Sequence, residues 1–402
     1  MPTLVFAAVL AVACGTSHVS SAGGGSGSGG GGSDAGAPSG SGPVGSVDAG
    51  SGGGSVDAGG SGGGSGSGGS SGTDGGSSSG GGTGGGGTDG GTTVSGPKVL
   101  APGENAHALS IDATNVYWLR YGQSAEVRWM PKSGGTPATL VRTASVAAQS
   151  LIATGNGILW EGSTCSPPCD YPGAGHEWGI FMAPAGVSAY GKIADIYGSG
   201  GLAADASAAY SRDFNTATGR WNLLSCGRDG SGCHQLVTDS PLSSPVYLDG
   251  GRLFWIDQPT DTDNGPRSNL NWEDPQSGTG HGSLVLHDVL YITGLRVNGP
   301  DFAVRAGFGR GDVWTGSTAG SGSVSMIWGS PNGADHDVDI SQGRVYWNQR
   351  QTTQYPGCLG SANLDGTDGH CLDQGAYNYD AVRADDTHVY FIRDGDVLRL
   401  PR

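Results

Sequence analysis

Three ionisable residues, His107, His336 and Asp380, stand at matched places in a sequence that repeats itself, and Asp337 follows the second of them. Two imidazoles and two carboxylates brought to one opening would hold a divalent metal, or serve as a general acid and base. The alternative is a polar rim facing water. A weaker candidate is Asp261-Thr-Asp263-Asn264-Gly265, which spaces carboxylates and an amide as half of a calcium loop does. Glu273 falls outside the register that would complete such a loop, so an acidic loop is the competing reading. No GxSxG, HExxH or phosphate-loop motif occurs.

Cysteine supplies the other reactive group. Setting Cys14 aside leaves Cys165, Cys169, Cys226, Cys233, Cys358 and Cys371. Proximity along the chain favours the pairs 165–169, 226–233 and 358–371, all local and all requiring an oxidising compartment. His176, His234 and His370 lie near these cysteines, which keeps zinc as the competing use.

The elements that must position these residues follow from an eleven-residue phrase. It occurs seven times without gaps, beginning at Ala108, Ser150, Gly201, Pro245, Gly294, Asp337 and Ala381. Its second position is always Leu or Val, the fifth is Asp, Asn, Thr or Ser, and the ninth is always apolar. The last two positions are mostly aromatic. Alternation, a polar turn, and then a β-branched and aromatic run predict a two-strand hairpin. A looser phrase follows each time and adds two more strands. The phrases end at Trp118, Trp160, Ser211, Trp255, Val304, Trp347 and Phe391, so successive copies lie 42 to 51 residues apart. Four antiparallel strands at that period predict a blade of a β-propeller.

Seven phrases predict seven blades; six would leave one copy unexplained. The seventh copy stops at Arg402 after three strands, and Pro97-Lys98-Val99-Leu100-Ala101 reads as the missing fourth. Such closure removes an open sheet edge. The residues just before each phrase are His107, Gln149, Gly200, Ser244, Thr293, His336 and Asp380, which should ring one mouth of the channel. Blades six, seven and one are then neighbours, which groups His107, His336, Asp337 and Asp380. The phrase aspartates Asp112, Asp205, Asp249 and Asp385 are expected to bind backbone N–H groups in their turns. Trp118, Trp160, Trp255 and Trp347 are expected between blades.

Ile-Asp-Ala-Thr-Asn-Val-Tyr-Trp, with Met-Pro-Lys-Ser-Gly-Gly-Thr-Pro after it, resembles repeats of exported bacterial lipoproteins of the TolB-like and related propeller families. The resemblance spans residues 97–402 and implies a fold, without chemistry.

The N-terminal quarter has a different composition. Leu4 to Ala13 is an apolar run of signal-peptide length, ending in Ala11-Val12-Ala13-Cys14. That ending resembles the lipobox of bacterial lipoproteins, which implies lipidation of Cys14; an ordinary cleaved signal is the alternative. Residues 15–93 are almost wholly Gly, Ser, Thr, Ala and Asp, with no aromatic residue, so they cannot bury a core. As a flexible coil this spacer spans roughly 50 Å. The expected organisation is a signal segment over 1–14, a spacer over 15–93, and an all-β propeller over 94–402.

The 402-residue chain carries 20 Lys+Arg against 36 Asp+Glu, a formal charge of −16. That balance excludes a basic nucleic-acid surface and a polybasic membrane patch. The expectation is a monomeric, non-catalytic binding or scaffolding propeller, lipid-anchored at the bacterial outer membrane or cell surface. Secretion or a periplasmic location is the alternative. Its ligand would be a protein, a glycan or a small molecule. The competing function is a metal-assisted hydrolase or lyase at the mouth of blades six, seven and one. A binder should instead show an aromatic patch built on loops, and the insertions Glu161–Trp178 and Gln258–Asn269, with Tyr171 and Trp178, are where it is expected.

Overall fold

Among the described residues twenty-eight strands form seven four-stranded antiparallel sheets, six running in chain order from an inner to an outer strand and the seventh taking its outer strand from the N-terminal end. The structure, a computed structural model, describes residues 96–120, 125–142, 145–165, 176–198, 201–242, 244–258, 267–287, 289, 291–306, 311–319, 324–329 and 337–402. Cys14, the spacer 15–93, Cys169, Tyr171, Asp261, Asp263, Asn264 and His336 lie outside the described residues, as does the side chain of Cys165. The described residues all belong to the compact unit Gly87–Arg402.

The architecture is a seven-bladed β-propeller. The inner strands are Ala106–Ile111, Ser145–Thr154, Leu202–Ala204, Tyr247–Asp249, Gly294–Asn298, Val338–Ser341 and Tyr379–Ala384. Each phrase covers an inner strand and the second strand of its blade, as expected. In blade seven Lys98–Ala101 pairs antiparallel with Asp396–Pro401, so the N-terminal strand closes the ring. Leu100 and Ala101 on that strand are buried.

Second strands are apolar at consecutive positions because each has a neighbouring blade on both faces. Val116, Trp118 and Leu119 are fully buried, and Val345, Tyr346 and Trp347 nearly so. Seven core clusters result, and each joins one blade to the next. Trp118 shares a cluster with Ala381, Tyr390 and Ile392 of blade seven. Trp160 shares one with Tyr117 and Leu119 of blade one, Trp255 with Ala203 and Tyr210 of blade three, and Trp347 with Ala303 and Val313 of blade five. Burying one such ring contributes on the order of 3 kcal/mol or more. The cohesion of the ring therefore lies between blades.

Trp347 also needs space within its own sheet. It stands opposite Gly360 on the third strand, where a Cβ would come within 2.1 Å of the indole. Gly282 stands to Trp272 in the same way. A bare glycine backbone is what lets each ring lie across its sheet.

The turn aspartates do what their spacing predicts at three of four positions. Asp112 Oδ1 accepts the N–H groups of Thr114 and Asn115, both at 2.7 Å. Asp205 accepts those of Ser207 and Ala208, and Asp385 those of Thr387 and His388. Asp249 differs, because Gly250 and Gly251 make its turn with φ of 55° and 77°. Glycine reaches that conformation unaided, so the Asp249 carboxylate is left to accept the Gly299 N–H of the next blade at 2.8 Å.

Cys226–Cys233 and Cys358–Cys371 are disulfides, each joining adjacent strands of one blade. Two of the three expected pairs are thereby present.

Candidate functional site

The seven inner strands surround a central channel of about 500 Å³. Its mouth-side lining includes His107, Gln149, Thr293 and Asp380, four of the seven residues placed there by the repeat. Gly200 and His336 lie outside the described residues. Ser244 does not reach the channel: it is fully buried, and its hydroxyl accepts the Ile256 N–H at 2.9 Å.

His107 is held rather than presented. Its Nε2 lies 2.7 Å from the Ala148 carbonyl of blade two, so Nε2 carries the proton and donates. Burial lowers its pKa to about 4, against the opposing pull of Ala148 O and Asp380. The ring is neutral at physiological pH. Asp380 is paired with Arg350.

Asp337 is more tightly committed. Oδ1 accepts Arg296 Nη2 and the Val338 N–H, each at 3.1 Å. Oδ2 accepts Arg383 Nη1 and the Val382 N–H, the latter at 3.2 Å. A carboxylate taking four hydrogen bonds from two blades and its own backbone works as a clamp. Among the described residues no group of three or more His, Cys, Asp or Glu stands close enough to hold a metal ion. His107 and Asp380 do come together, as the register expects, while Asp337 is turned to arginines.

What the sequence reading missed is the charge layer one step deeper, at the third position of the phrase. There Tyr247, Arg296, Asp339 and Arg383 line the channel on blades four to seven. Ser110, Ile152 and Ala203 hold that position on blades one to three, leaving that wall small and largely apolar. Arg296 lies over the Tyr247 ring at 5.1 Å and 3.6 Å from Asp339 Oδ1. Burial works against the Arg296 charge, but Asp337 and Asp339 outweigh it and hold its pKa above the usual arginine value. Burial raises the Asp339 pKa despite Arg296 and Arg383. The third position reads Ser, Ile, Ala, Tyr, Arg, Asp and Arg through the seven copies, and other positions vary as widely, so it carried no signal of its own.

A second feature joins the connection between blades two and three to a hairpin of blade three. Tyr197, 60% exposed, stacks on Phe214 at 6.2 Å, and Phe214 meets Trp221 edge-on at 5.1 Å. Arg212 lies 4.6 Å from the Trp221 ring. The Tyr197 N–H donates to Asp213 and its carbonyl accepts the Phe214 N–H, which pins the loop to the hairpin. Among the described residues an exposed aromatic surface is therefore present here, rather than at Trp178. That residue lies on the strand His176–Pro184 and packs half-buried against the cluster joining blades two and three.

No family model and no curated protein matches this chain. Among solved structures it is similar to the β-propeller domain of the trilobed protease from Pyrococcus furiosus. That match has TM-score 0.52 and 9% identity, covering 72% of this chain and 90% of the other. It is also similar to a catalytically inactive virginiamycin B lyase from Staphylococcus aureus solved with quinupristin. There the TM-score is 0.51 and the identity 10%, covering 76% of this chain and 99% of the other. At TM-score 0.44 it resembles BamB from Moraxella catarrhalis, with 12% identity over 73% of this chain and 82% of that one. At these identities the likeness is one of fold.

Proposed function

We propose that the protein is an exported propeller that binds or scaffolds other molecules at the bacterial envelope and carries out no covalent chemistry. The observation behind this reading is the commitment of the channel-mouth groups. Asp337 spends both oxygens on Arg296, Arg383 and backbone N–H groups, Asp380 is paired with Arg350, and His107 is fixed to Ala148 with its proton placed. A general base needs an open lone pair aimed at a reachable proton, and Asp337 has both oxygens engaged, while His107 and Asp380 are each anchored to a partner. The two disulfides fit an oxidising compartment, and Cys14 with the Gly/Ser spacer supplies a tether. The exposed Tyr197, stacked on Phe214, is an aromatic surface of the kind such a binder uses.

The competing function is a metal-assisted hydrolase or lyase using His107, His336 and Asp380. Calorimetric titration of the full chain with zinc and with manganese separates the two. The binding reading expects no saturable isotherm that depends on the histidines. A micromolar isotherm abolished in the His107→Ala, His336→Ala double variant would establish the metal site and overturn it.

A further inference from the structure

The channel's charged wall is not fully satisfied by its own members. Arg383 binds Asp337 Oδ2 and the Val382 carbonyl through Nη1 alone. Its Nε and Nη2 make no hydrogen bond with any described residue, and the side chain is 20% exposed where it lines the channel. That leaves the flat, two-donor edge of a guanidinium open. Such an edge matches a carboxylate in geometry and charge.

Beside it stands an open acceptor. Asp339 Oδ2 takes the Ala384 N–H at 2.7 Å, which anchors this carboxylate next to Arg383 in the chain. Its Oδ1 makes no hydrogen bond with any described residue; Arg296 Nε lies 3.6 Å away, beyond hydrogen-bonding distance. Asp339 as a whole is 8% exposed, so this oxygen has little access to water other than through the channel. An ammonium group placed there would satisfy it.

Charge balance narrows the ligand. Arg296 and Arg383 against Asp337 and Asp339 sum to zero, so a ligand of net charge adds an unbalanced charge to a buried layer. One carrying both signs does not. The facing wall of Ala108, Ile152, Ala203 and Pro245 is small and apolar, which suits a short hydrocarbon side chain. The volume of about 500 Å³ lies within the range of small-molecule sites.

We propose that the central channel binds a small zwitterion of the α-amino acid class, its carboxylate on the Nε–Nη2 edge of Arg383 and its ammonium on Asp339. The inference rests on the reading of this propeller as a binder, and it names the ligand class of the channel.

The test is calorimetric titration of the full chain at pH 7.5 with free L-leucine, isovalerate and isoamylamine. Leucine is expected to bind with a Kd below about 1 mM, at least tenfold tighter than either half-ligand. Arg383→Gln and Asp339→Asn are each expected to weaken leucine at least tenfold. Arg383 also clamps Asp337, so Ile152→Trp serves as a second variant: it fills the channel from the opposite wall, leaves the charges alone, and must abolish binding in a protein with wild-type circular dichroism. Isovalerate or isoamylamine binding as tightly as leucine would overturn the zwitterion assignment. So would the absence of any leucine isotherm at 10 mM from folded wild type. Neither result depends on the metal titration, so the two proposals fail separately.

Discussion

The Tyr210 hydroxyl donates to Asp205 Oδ2 at 2.7 Å, five residues back along the chain, across the turn whose N–H groups Oδ1 already accepts. Tyr117 stands to Asp112 in the same way, also at 2.7 Å. The phrase thus encodes a closed circuit of carboxylate, turn amides and phenol. Burial works to raise the Asp205 pKa, but Tyr210 and the Ala208 and Ser207 donors outweigh it and hold it at about 2. The same contact, added to burial, pushes the Tyr117 hydroxyl up to about 12.

Removing the phenol alone isolates that bond. Tyr210→Phe keeps the ring, which is buried against Ala203 and Trp255, and deletes the donor to a charged oxygen. A hydrogen bond to a partly exposed charge contributes about 1–2 kcal/mol, so urea unfolding at pH 7 should show a loss of that size. Tyr117→Phe should cost a similar amount. Losses below about 0.5 kcal/mol in both would mean that the amides alone hold the aspartates.

The seven blades were legible because the phrase encodes backbone requirements that every copy shares: a turn, an alternating inner strand and a doubly buried second strand. Trp118 and Trp347 could be assigned to inter-blade contacts from that logic. The charge layer was not legible, since Arg296, Asp339 and Arg383 come from three different copies and each looks like an isolated exception in its own phrase. Only the ring brings them together. Asp249 illustrates the opposite limit: its sequence position matches Asp205, yet Gly250 and Gly251 relieve it of the turn and free it for Gly299. The role of a repeat position depends on its neighbours in the same copy.

Ring closure rests on one short strand, and that makes a clear comparison. Val99 stands opposite Leu398 and Ala101 opposite Val397, with Leu100 and Ala101 buried against blade seven. Deleting residues 94–101 removes this packing, about 2–4 kcal/mol, and bares the edge of Asp396–Pro401. A melting temperature lower by roughly 5 °C is expected, with concentration-dependent aggregation. Deleting residues 1–93 should leave the melting temperature unchanged within error. Equal shifts from the two deletions would show that closure does not depend on this strand.

His107 should leave its mark on acid stability. Its folded pKa of about 4 lies below the ordinary histidine value of 6.5, chiefly through burial. Between those pH values the unfolded chain takes up a proton that the folded ring refuses, so folding weakens as pH falls through this window. The contribution is fully present above about pH 6.5, is lost progressively towards pH 4, and amounts to about 3 kcal/mol at most. Asp205 and Asp385, whose pKa values are depressed, lose their contributions below about pH 4. They act equally in any His107 variant and cancel in a comparison. His107→Gln preserves an amide donor for the Ala148 carbonyl without a titrating group. Urea stability of the two proteins should therefore converge, or cross in favour of the variant, as pH is lowered from 7 to 4. Parallel curves over that range would show that the imidazole reaches water and is not buried against Ala148.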